Sequence, residues 1–428
     1  MADASPGLLR FLCRLGHIML ATGEAVSVIE AALRRVARAH GAREVNVVAL
    51  PTALFVKLED GETEIDFASE GGLTLRFDQI EATFALAGEA ERGALSPAEG
   101  LVRIAQILAL PPPLGPAWVV GGHVLATVGI ALLLQPTPGV VASAMFFGLA
   151  VGALKLLGRS GGMFDTLLPT IAAFLVAAVA LAAVKHGLPA SPLRVLIASL
   201  VTFLPGGLLA VATMDLAYGD QISGASRFVT GLVQLMFLLL GMMAAAAFSG
   251  LPPEKLVLAA DTAEQLGGWA TSLGVLLFGV GVALHYSARL QTVPWILLVL
   301  FVGATGQSLG YAAFGGYLSG FIGALMITPI SYLIQYRLGG PPAMVTFLPA
   351  LWLLVPGSIG LMGLTELVGS DRLAGLEDFV TTLFTIVATA VGSLIGTWIY
   401  NAFFDPIFRH AGSMAEFMRK RLRKGENR

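Results

Sequence analysis

Hydrophobic residues follow two different patterns along the chain, and the change between them falls near residue 110. Before that point, apolar residues are interleaved with charged ones at helical and strand spacings, as in a protein that faces water. After it, long apolar stretches follow one another. A helix needs about 20 such residues to cross the hydrocarbon core of a bilayer. The pattern predicts a soluble N-terminal domain followed by a membrane domain.

The N-terminal part has the pattern of a small α+β domain. A stripe of apolar residues from Val26 to Val36 recurs at helical spacing and predicts an amphipathic helix. Alternating apolar residues at 54–58 and 65–67 predict two antiparallel strands, with a tight turn at Asp60-Gly61 between them.

Two more helices and a linker complete this domain. Apolar residues from Ile80 to Ala87 mark one helix, and Ser96-Pro97-Ala98-Glu99 has the capped start of another. Pro111-Pro112-Pro113 cannot continue a helix, so we expect a stiff linker there. The predicted soluble domain therefore covers residues 1–113.

Beyond the linker the chain has ten apolar stretches. Lipid offers no partner to backbone polar groups, so helices are expected, whereas the strands of a barrel would alternate in polarity. The predicted spans are 117–134, 139–157, 166–184, 193–214, 226–248, 268–284, 293–312, 314–335, 343–364 and 379–403.

Composition supports a membrane protein and excludes other classes. Hydrophobic residues make up 56% of the chain and charged residues 13%, against roughly one-quarter charged in soluble domains. The net charge of −2 and a basic stretch confined to the C-terminal tail indicate no nucleic-acid partner. Cys13 is the single cysteine, so an intrachain disulfide and a multi-cysteine metal site are excluded. We expect no metal and no cofactor.

Basic residues in the loops predict that both termini are cytoplasmic. With the N-terminus inside, the outer loops hold Lys185, Arg194, Lys255 and Arg372. The basic tail lies on the same side as the N-terminal domain if the number of spans is even. The inner loops then hold Lys155, Arg159, Arg227, Arg289 and Arg337.

The membrane part matches itself at a constant offset of about 151 residues. Pro205-Gly206 falls on Pro356-Gly357, and Phe228-Val229-Thr230 falls on Phe379-Val380-Thr381. Five spans lie in each unit, at 114–264 and 265–428. Because an odd number of spans forces the second unit to enter from the opposite side, we predict a membrane α-helical fold of about ten transmembrane helices as a five-plus-five inverted repeat.

Helix interruptions at matched positions predict a central solute site. Proline and glycine in the fourth and ninth spans free backbone groups that can face a polar solute. Simple kinks between packed helices are the alternative. The predicted substrate-binding residues are Pro205, Gly206, Gly207, Pro356, Gly357 and Ser358.

Charged residues near the two interruptions predict gates or proton-coupling groups. Asp215, Asp220 and Arg227 follow the first interruption, on the inner side, and Glu366 and Asp371 follow the second, on the outer side. Solvated loop charges and helix caps are the alternative interpretation.

Three further polar residues are candidates. Lys155 and Asp165 flank the turn between the second and third spans, where they can pair, contact solute or anchor the helices at the interface. His123 lies inside the first span, where it can relay protons or bond to a neighbouring helix. Gln234 and Gln307 are ambiguous in the same way.

Motifs of enzymes are missing from the sequence. It has no phosphate-binding loop ending in Lys-Ser/Thr, no His-Glu-x-x-His and no Gly-x-Ser-x-Gly. We therefore expect a protein that is not an enzyme, and a passive solute channel is the competing membrane function.

Several of these residues resemble one family. Pro205-Gly206 followed by Asp215-Leu216, Ser223-Gly224 and Arg227 is similar to the bacterial threonine/serine exporter family. The stretch 21–25 looks like the soluble domain of that family. The segment from 355 to 358, Val-Pro-Gly-Ser, looks like its second membrane half.

This resemblance implies a secondary transporter of the bacterial cytoplasmic (inner) membrane that exports threonine and serine, driven by the proton motive force. A related split system is linked to dicarboxylates, so a succinate-like substrate is the alternative. We expect alternating access around the Pro-Gly interruptions, with protons entering at Glu366 or Asp371 and leaving at Asp215 or Asp220. Its partners are then a small amino acid, protons and the lipid bilayer, and a homo-oligomer is compatible with the sequence.

Overall fold

The computed structural model describes residues 6–42, 44–58, 63–67, 74–134, 137–158, 163–186, 192–257, 266–354, 357–368 and 372–404. Most of these residues are helical. The predicted turn at Asp60-Gly61, the proline Pro356 and the carboxylate Asp371 lie outside the described residues.

Four helices and one small sheet form an N-terminal unit, residues 6–108. The three strands are antiparallel in the order β1-β2-β3, with Val47 opposite Val56 and Phe55 opposite Ile65. Its elements are α1 (Pro6–Leu20), α2 (Val26–Ala39), β1 (Val45–Leu50), β2 (Ala53–Leu58), β3 (Thr63–Phe67), α3 (Phe77–Glu91) and α4 (Pro97–Leu108).

Most predicted elements of this unit are present. Helix α2 buries its apolar stripe, and α4 begins with the reciprocal cap, in which the Ser96 Oγ accepts from the Glu99 N–H at 3.3 Å and the Ser96 N–H donates to the Glu99 carboxylate at 2.9 Å. Helix α1 and strand β1 were not predicted. Helix α1 buries Phe11 and Leu15 completely, but arginines between its apolar residues hide the pattern.

The rest of the described chain is helical. Residues Val201–Phe203 form a 3-10 turn, and Tyr400–Phe404 continue the last helix as a π-helical turn. The helices are α5 (Pro116–Leu134), α6 (Pro138–Leu157), α7 (Met163–Lys185), α8 (Pro192–Ser199), α9 (Gly206–Tyr218), α10 (Gln221–Ser249), α11 (Glu254–Val257), α12 (Trp269–His285), α13 (Val293–Phe314), α14 (Gly316–Tyr336), α15 (Ala343–Leu354), α16 (Gly357–Val368) and α17 (Arg372–Ile399).

Within the described residues, eight helical segments are long and apolar enough to cross a membrane, and α12 and α15 are shorter apolar helices. The predicted fourth span is divided into α8, a 3-10 turn and α9. The predicted ninth span contains α15 and α16, and residues 355 and 356 between them lie outside the described residues. The structure thus has several membrane-crossing helices and a small N-terminal sheet, as predicted.

Helices α5 and α12 pack closely through glycines. A Cβ atom on Gly122 would lie 2.7 Å from the Gly281 carbonyl oxygen, and one on Gly129 would lie 2.7 Å from the Gly274 carbonyl oxygen. The later glycine of α5 meets the earlier glycine of α12, so the two helices are antiparallel. Only glycine permits backbones to approach so closely.

Two other close contacts occur at equivalent positions in both halves. A Cβ on Gly224 would lie 2.7 Å from the Ala212 carbonyl oxygen, and a Cβ on Gly375 would lie 2.7 Å from the Gly363 carbonyl oxygen. Likewise, Gly241 contacts the carbonyl of Thr170, and Gly392 contacts the carbonyl of Phe321. In each pair of contacts, both residues of the second contact lie 151 positions after those of the first, which is the offset found in the sequence.

The N-terminal unit packs against one end of the helical bundle. The Phe77 N–H donates to the Tyr286 carbonyl at 2.9 Å, and the Thr292 hydroxyl donates to Glu81 at 2.6 Å, so α3 contacts the α12–α13 turn. Gly23 lies beside Met344 at the start of α15. The Ser223 hydroxyl, just after the α9–α10 turn, donates to the Ala49 carbonyl of β1. All these turns therefore lie on the same face, which we call the covered face.

Candidate functional site

The interruption between α8 and α9 has an irregular backbone whose freed groups are partly satisfied. Leu204 is extended, with φ −71° and ψ 128°, and α9 begins at Gly206 directly after Pro205. The Phe203 carbonyl accepts a hydrogen bond from the Gln234 side chain at 2.8 Å. Gln234, whose role was ambiguous from the sequence, thus stabilises the interruption.

A tryptophan from the other half of the membrane part contacts this interruption. A Cβ atom on Gly207 would lie 2.7 Å from the Trp352 indole nitrogen. Trp352 is near the end of α15, just before the second interruption. Gly357 starts α16 and Ser358 lies in its first turn. The sequence analysis missed Trp352, although its position close to Val355-Pro356 was a signal.

A cavity of about 360 Å³ lies between the first interruption and the C-terminal end of α15. Leu204 and Gly206 line it from the interruption, and Trp352 and Leu354 line it from α15. Its polar groups come from neighbouring helices: Thr271, Gln307, Ser308, Ser319 and Thr385. The volume is in the usual range for small-molecule sites.

The cavity opens away from the covered face. It is lined by the C-terminal end of α5 and the N-terminal part of α12, at Leu134 and Thr271. The N-terminal unit joins the other end of α5 and contacts the other end of α12, at Tyr286. The cavity therefore reaches the interruptions from the end of the bundle opposite the N-terminal unit.

An ion pair lies on the covered face below the first interruption. The Arg227 guanidinium donates to the Asp215 carboxylate at 2.8 Å, and both side chains are almost completely buried. The other Asp215 oxygen accepts the Val26 N–H at 3.2 Å, and Arg227 also donates to the Glu24 carbonyl at 2.9 Å. Asp215 thus satisfies an N–H group at the start of α2 that has no partner within that helix.

Two more carboxylates and a hydroxyl surround this pair. Glu24 accepts the Ala25 N–H at 3.1 Å, and burial raises the pKa of its carboxyl. Asp220 precedes α10, and burial together with the Glu30 charge raises its pKa as well. The Ser223 hydroxyl donates to the Ala49 carbonyl of β1 at 3.2 Å. The three residues predicted for the inner gate, Asp215, Asp220 and Arg227, therefore lie at the contact with the N-terminal unit.

A different pair lies about 151 residues further along the chain. Glu366 lies in α16, and its carboxyl group shares a hydrogen bond with that of Asp378 in α17. Asp378 follows Arg227 by the repeat offset, as Glu366 follows Asp215. The sequence analysis missed Asp378, and the offset was the signal that identifies it. Asp371 lies outside the described residues.

A lysine and two histidines meet beneath the first interruption. The Lys155 ammonium lies 2.9 Å from the Thr202 hydroxyl and 2.9 Å from His285 Nε2. His123 Nε2 lies 3.2 Å from the same Thr202 hydroxyl. Asp165, the predicted companion of Lys155, lies in the first turn of α7 against Gly158. The structure thus brings Lys155 and His123 together through Thr202.

His285 and Thr202 were not among the predicted site residues. His285 is the last residue of α12, and Thr202 lies in the 3-10 turn before Leu204. Each is a single polar residue beside an apolar stretch, so nothing in its local pattern distinguishes it from a residue that packs inside a helical bundle. Only the three-dimensional arrangement places them beside Lys155.

Comparison with known proteins identifies a family over the first half of the chain. A family model described as "Putative threonine/serine exporter" matches residues 10–249, which end where α10 ends. The match contains the N-terminal unit, the first interruption and the Asp215–Arg227 pair, and it confirms the resemblance that the sequence motifs indicated.

A yeast protein is also similar. "Pheromone-regulated membrane protein 10" of Yarrowia lipolytica is 27% identical over 205 residues, which cover 46% of this chain and 17% of the yeast protein. The chain thus matches only a small part of that relative. No solved structure matches the chain significantly. Because the family model covers more than half of the chain, this protein belongs to the threonine/serine exporter family.

Proposed function

We propose that this protein exports threonine and serine across a bacterial cytoplasmic membrane by alternating access coupled to protons. The observation that carries the proposal is the cavity at the paired interruptions, which opens away from the N-terminal unit. Its other end is blocked by the break itself and by the buried Asp215–Arg227 pair beneath it. This is the arrangement of a transporter with one gate open and the other closed.

The architecture that fits this function is an inverted repeat of five plus five spans, at 114–264 and 265–428, after a soluble domain at 1–113. Antiparallel packing of α5 and α12, the first helices of the two units, supports the opposite orientation of the units. The recurring glycine contacts support their equivalence. Rocking of one unit against the other then exposes the cavity to each side in turn.

The solute binds in the cavity beside Gly206 and Trp352. Amide and carbonyl groups of the interruptions bind the solute carboxylate and ammonium groups, and Gln307 and Ser308 bind its hydroxyl or carboxylate. Threonine and serine present all three groups. Pro356, Gly357 and Ser358 contribute from the second interruption, as the repeat implies.

The Asp215–Arg227 pair acts as the inner gate. It holds the N-terminal unit through Val26 and Glu24, so opening the inner side requires this unit to separate from α9 and α10. Asp220 belongs to the same gate, and Glu366 with Asp371 forms the outer counterpart. Both termini lie in the cytoplasm, because the covered face carries Arg227, Arg289 and Arg337.

Efflux from proteoliposomes tests this function. Liposomes are loaded with labelled threonine, serine or succinate, and efflux is measured with and without a proton gradient. We expect saturable, gradient-dependent efflux of threonine and serine. In Gln307→Leu, loss of a hydrogen bond to a charged solute should raise the half-saturating concentration roughly tenfold, whereas Gln106→Leu in α4, away from the cavity, should leave it unchanged.

Other outcomes identify the alternatives. Efflux of succinate alone would assign a dicarboxylate exporter. Efflux that neither saturates nor responds to the gradient would indicate a passive channel. If none of these solutes leaves the wild-type liposomes, the proposed function is wrong.

A further inference from the structure

We propose that Lys155 carries the coupling proton and that Thr202 transmits its charge state to the first interruption. The inference rests on the proposed export function and adds the residue through which protons drive it. It starts from the position of Lys155 near the C-terminal end of α6. Side chains on a helix lean toward its N-terminus, so the ammonium group reaches back into the bundle.

Groups from several elements contact the ammonium group. It donates to the Thr202 hydroxyl and to His285 Nε2, both at 2.9 Å. The rings of Phe203 and Tyr286 lie 5.1 and 5.8 Å from it, at distances where aromatic faces attract a cation. These contacts position the Lys155 side chain in either protonation state, because a neutral amine and an ammonium group can both bond to a hydroxyl and an imidazole.

Both histidines present an acceptor nitrogen toward this group. The other nitrogen of His285 lies 2.9 Å from the Val119 carbonyl, and that of His123 lies 3.1 Å from the Gly148 carbonyl. A carbonyl can only accept, so Nδ1 carries the hydrogen in each ring and Nε2 is the acceptor. The two rings are adjacent, with centroids 5.2 Å apart.

A proton can therefore leave Lys155 by two routes. In the first, an Nζ–H bond breaks and an Nε2–H bond forms on His285, leaving a neutral amine and an imidazolium. In the second, the Thr202 hydroxyl takes a proton from Lys155 and gives its own to His123 Nε2, 3.2 Å away. Each transfer conserves protons and charge and needs no other reactant.

Thr202 connects this chemistry to the solute cavity. It lies in the 3-10 turn Val201–Phe203, and Val201 in this turn and Leu204 just after it line the cavity. The ring of Trp352, also in the cavity wall, is tilted against that of Tyr286 with centroids 5.2 Å apart, and Tyr286 lies beside Lys155. A solute that shifts the interruption must therefore shift groups that stabilise the ammonium. Loss of the proton in turn removes the charge that holds Thr202.

Among the described residues, titratable groups from three helices lie near Lys155. Helix α5 contributes His123, and α12 with the residue after it contributes His285 and Tyr286. Helix α7 contributes Asp165, which lies against Gly158, one turn beyond Lys155. The Lys155 and Thr202 variants leave these groups unchanged.

The experiment separates solute exchange from proton coupling in purified, reconstituted full-length protein. Exchange of labelled threonine for unlabelled threonine needs no gradient, whereas net efflux is measured with a pH gradient of one unit, worth about tenfold in concentration ratio per proton. We expect Lys155→Gln and Lys155→Arg to keep exchange but to lose the stimulation by the gradient. Lys185→Gln, at the C-terminal end of α7, should retain both the exchange and the stimulation by the gradient.

The arginine variant decides between a proton carrier and a structural cation. Arginine keeps the charge but does not release its proton in proteins. If Lys155→Arg retains gradient-driven efflux, the proposal is overturned. Thr202→Val, with Thr202→Ser as its matched control, keeps the lysine and should also lose the stimulation. This pair tests the proposal even if the lysine variants do not fold.

Failure of the proposal differs from failure of the export function. If wild-type protein shows no exchange of threonine, serine or succinate, transport of these solutes is wrong. If wild-type protein shows exchange without any response to the gradient, or if Thr202→Val responds like the wild type, transport stands and the role of Lys155 is wrong.

Discussion

At the scale of single residues, the structure gives polar groups partners that a linear pattern does not show. Asp215 and Arg227 stand close together in the sequence, so their pairing was accessible from it, and the repeat offset makes Glu366 and Asp378 equivalent. The contact of Asp215 with the Val26 N–H joins residues 189 positions apart. No local spacing predicts such a contact, because it depends on how the N-terminal unit packs against the bundle.

The carboxyl group of Glu24 should make stability depend on pH. Burial raises its pKa above its ordinary value of 4.5, although the Ala25 N–H and the Arg227 charge oppose this shift. A raised pKa stabilises the fold while the group is protonated, and this contribution is lost as pH rises from 4.5 through the folded-state pKa. The Tm of Glu24→Gln minus the Tm of the wild type should therefore increase as pH rises over this interval.

Thermal unfolding in detergent from pH 4.5 to pH 8 measures this difference. Glu99→Gln is not a suitable control, because Glu99 caps α4. Glu254→Gln, the same substitution at the start of α11, is the matched control. A constant difference for Glu24→Gln would contradict the expected role of burial.

At the scale of elements, apolar length predicted most membrane helices, and proline with glycine predicted the division of the fourth span. The sequence indicated an interruption at Pro205-Gly206, and the 3-10 turn ends and α9 begins beside it. The interruption at Pro356-Gly357 stays a prediction. It did not indicate α1, whose arginines interrupt the apolar pattern. It also did not indicate that α10 and α17 extend beyond their apolar cores, because their first turns are polar.

The contact between α5 and α12 should depend on individual glycines. A Cβ at Gly122 would lie 2.5 Å from the His285 backbone nitrogen, whereas one at Gly121 meets nothing within 4 Å. Gly122→Ala should therefore destabilise the protein by about 1–3 kcal/mol through overpacking. Gly121→Ala should be neutral or stabilising by up to about 1 kcal/mol, because alanine favours the helix.

Unfolding of both variants in the same detergent measures this pair. The neighbouring positions share one helix and one substitution, so helix propensity and membrane insertion are matched. Equal stability of the two variants would show that the antiparallel contact between α5 and α12 is looser than the structure indicates.

At the scale of the whole molecule, the family and the membrane class were accessible from the sequence, whereas the packing of the N-terminal unit was not. Hydropathy reports which segments avoid water but not which turns lie together. The covered face is formed by turns from both halves, and it is held by polar contacts such as Thr292 with Glu81. The side to which the cavity opens follows from these contacts alone.

Linking the N-terminal unit to the bundle should stop transport. In Glu81→Cys with Thr292→Cys, a short bifunctional thiol reagent joins α3 to the α12–α13 turn, where the native side chains lie 2.6 Å apart. Alternating access requires the covered face to open, so efflux should fall to the level of empty liposomes and recover after reduction. Each single variant treated with the same reagent is the control, and unchanged efflux of the linked protein would show that the N-terminal unit does not need to move.

The bond between Asp215 and the start of α2 has a consequence for biogenesis. The ribosome completes α2 long before it makes α9 and α10, since 189 residues separate Val26 from Asp215. Until the fourth and fifth hydrophobic segments have entered the membrane, the Val26 N–H and the Glu24 carbonyl have to remain hydrated. The N-terminal unit can fold early but can only dock late, because its contacts with α9 and α10 are followed in synthesis by those with Tyr286 and Thr292 around the α12–α13 turn.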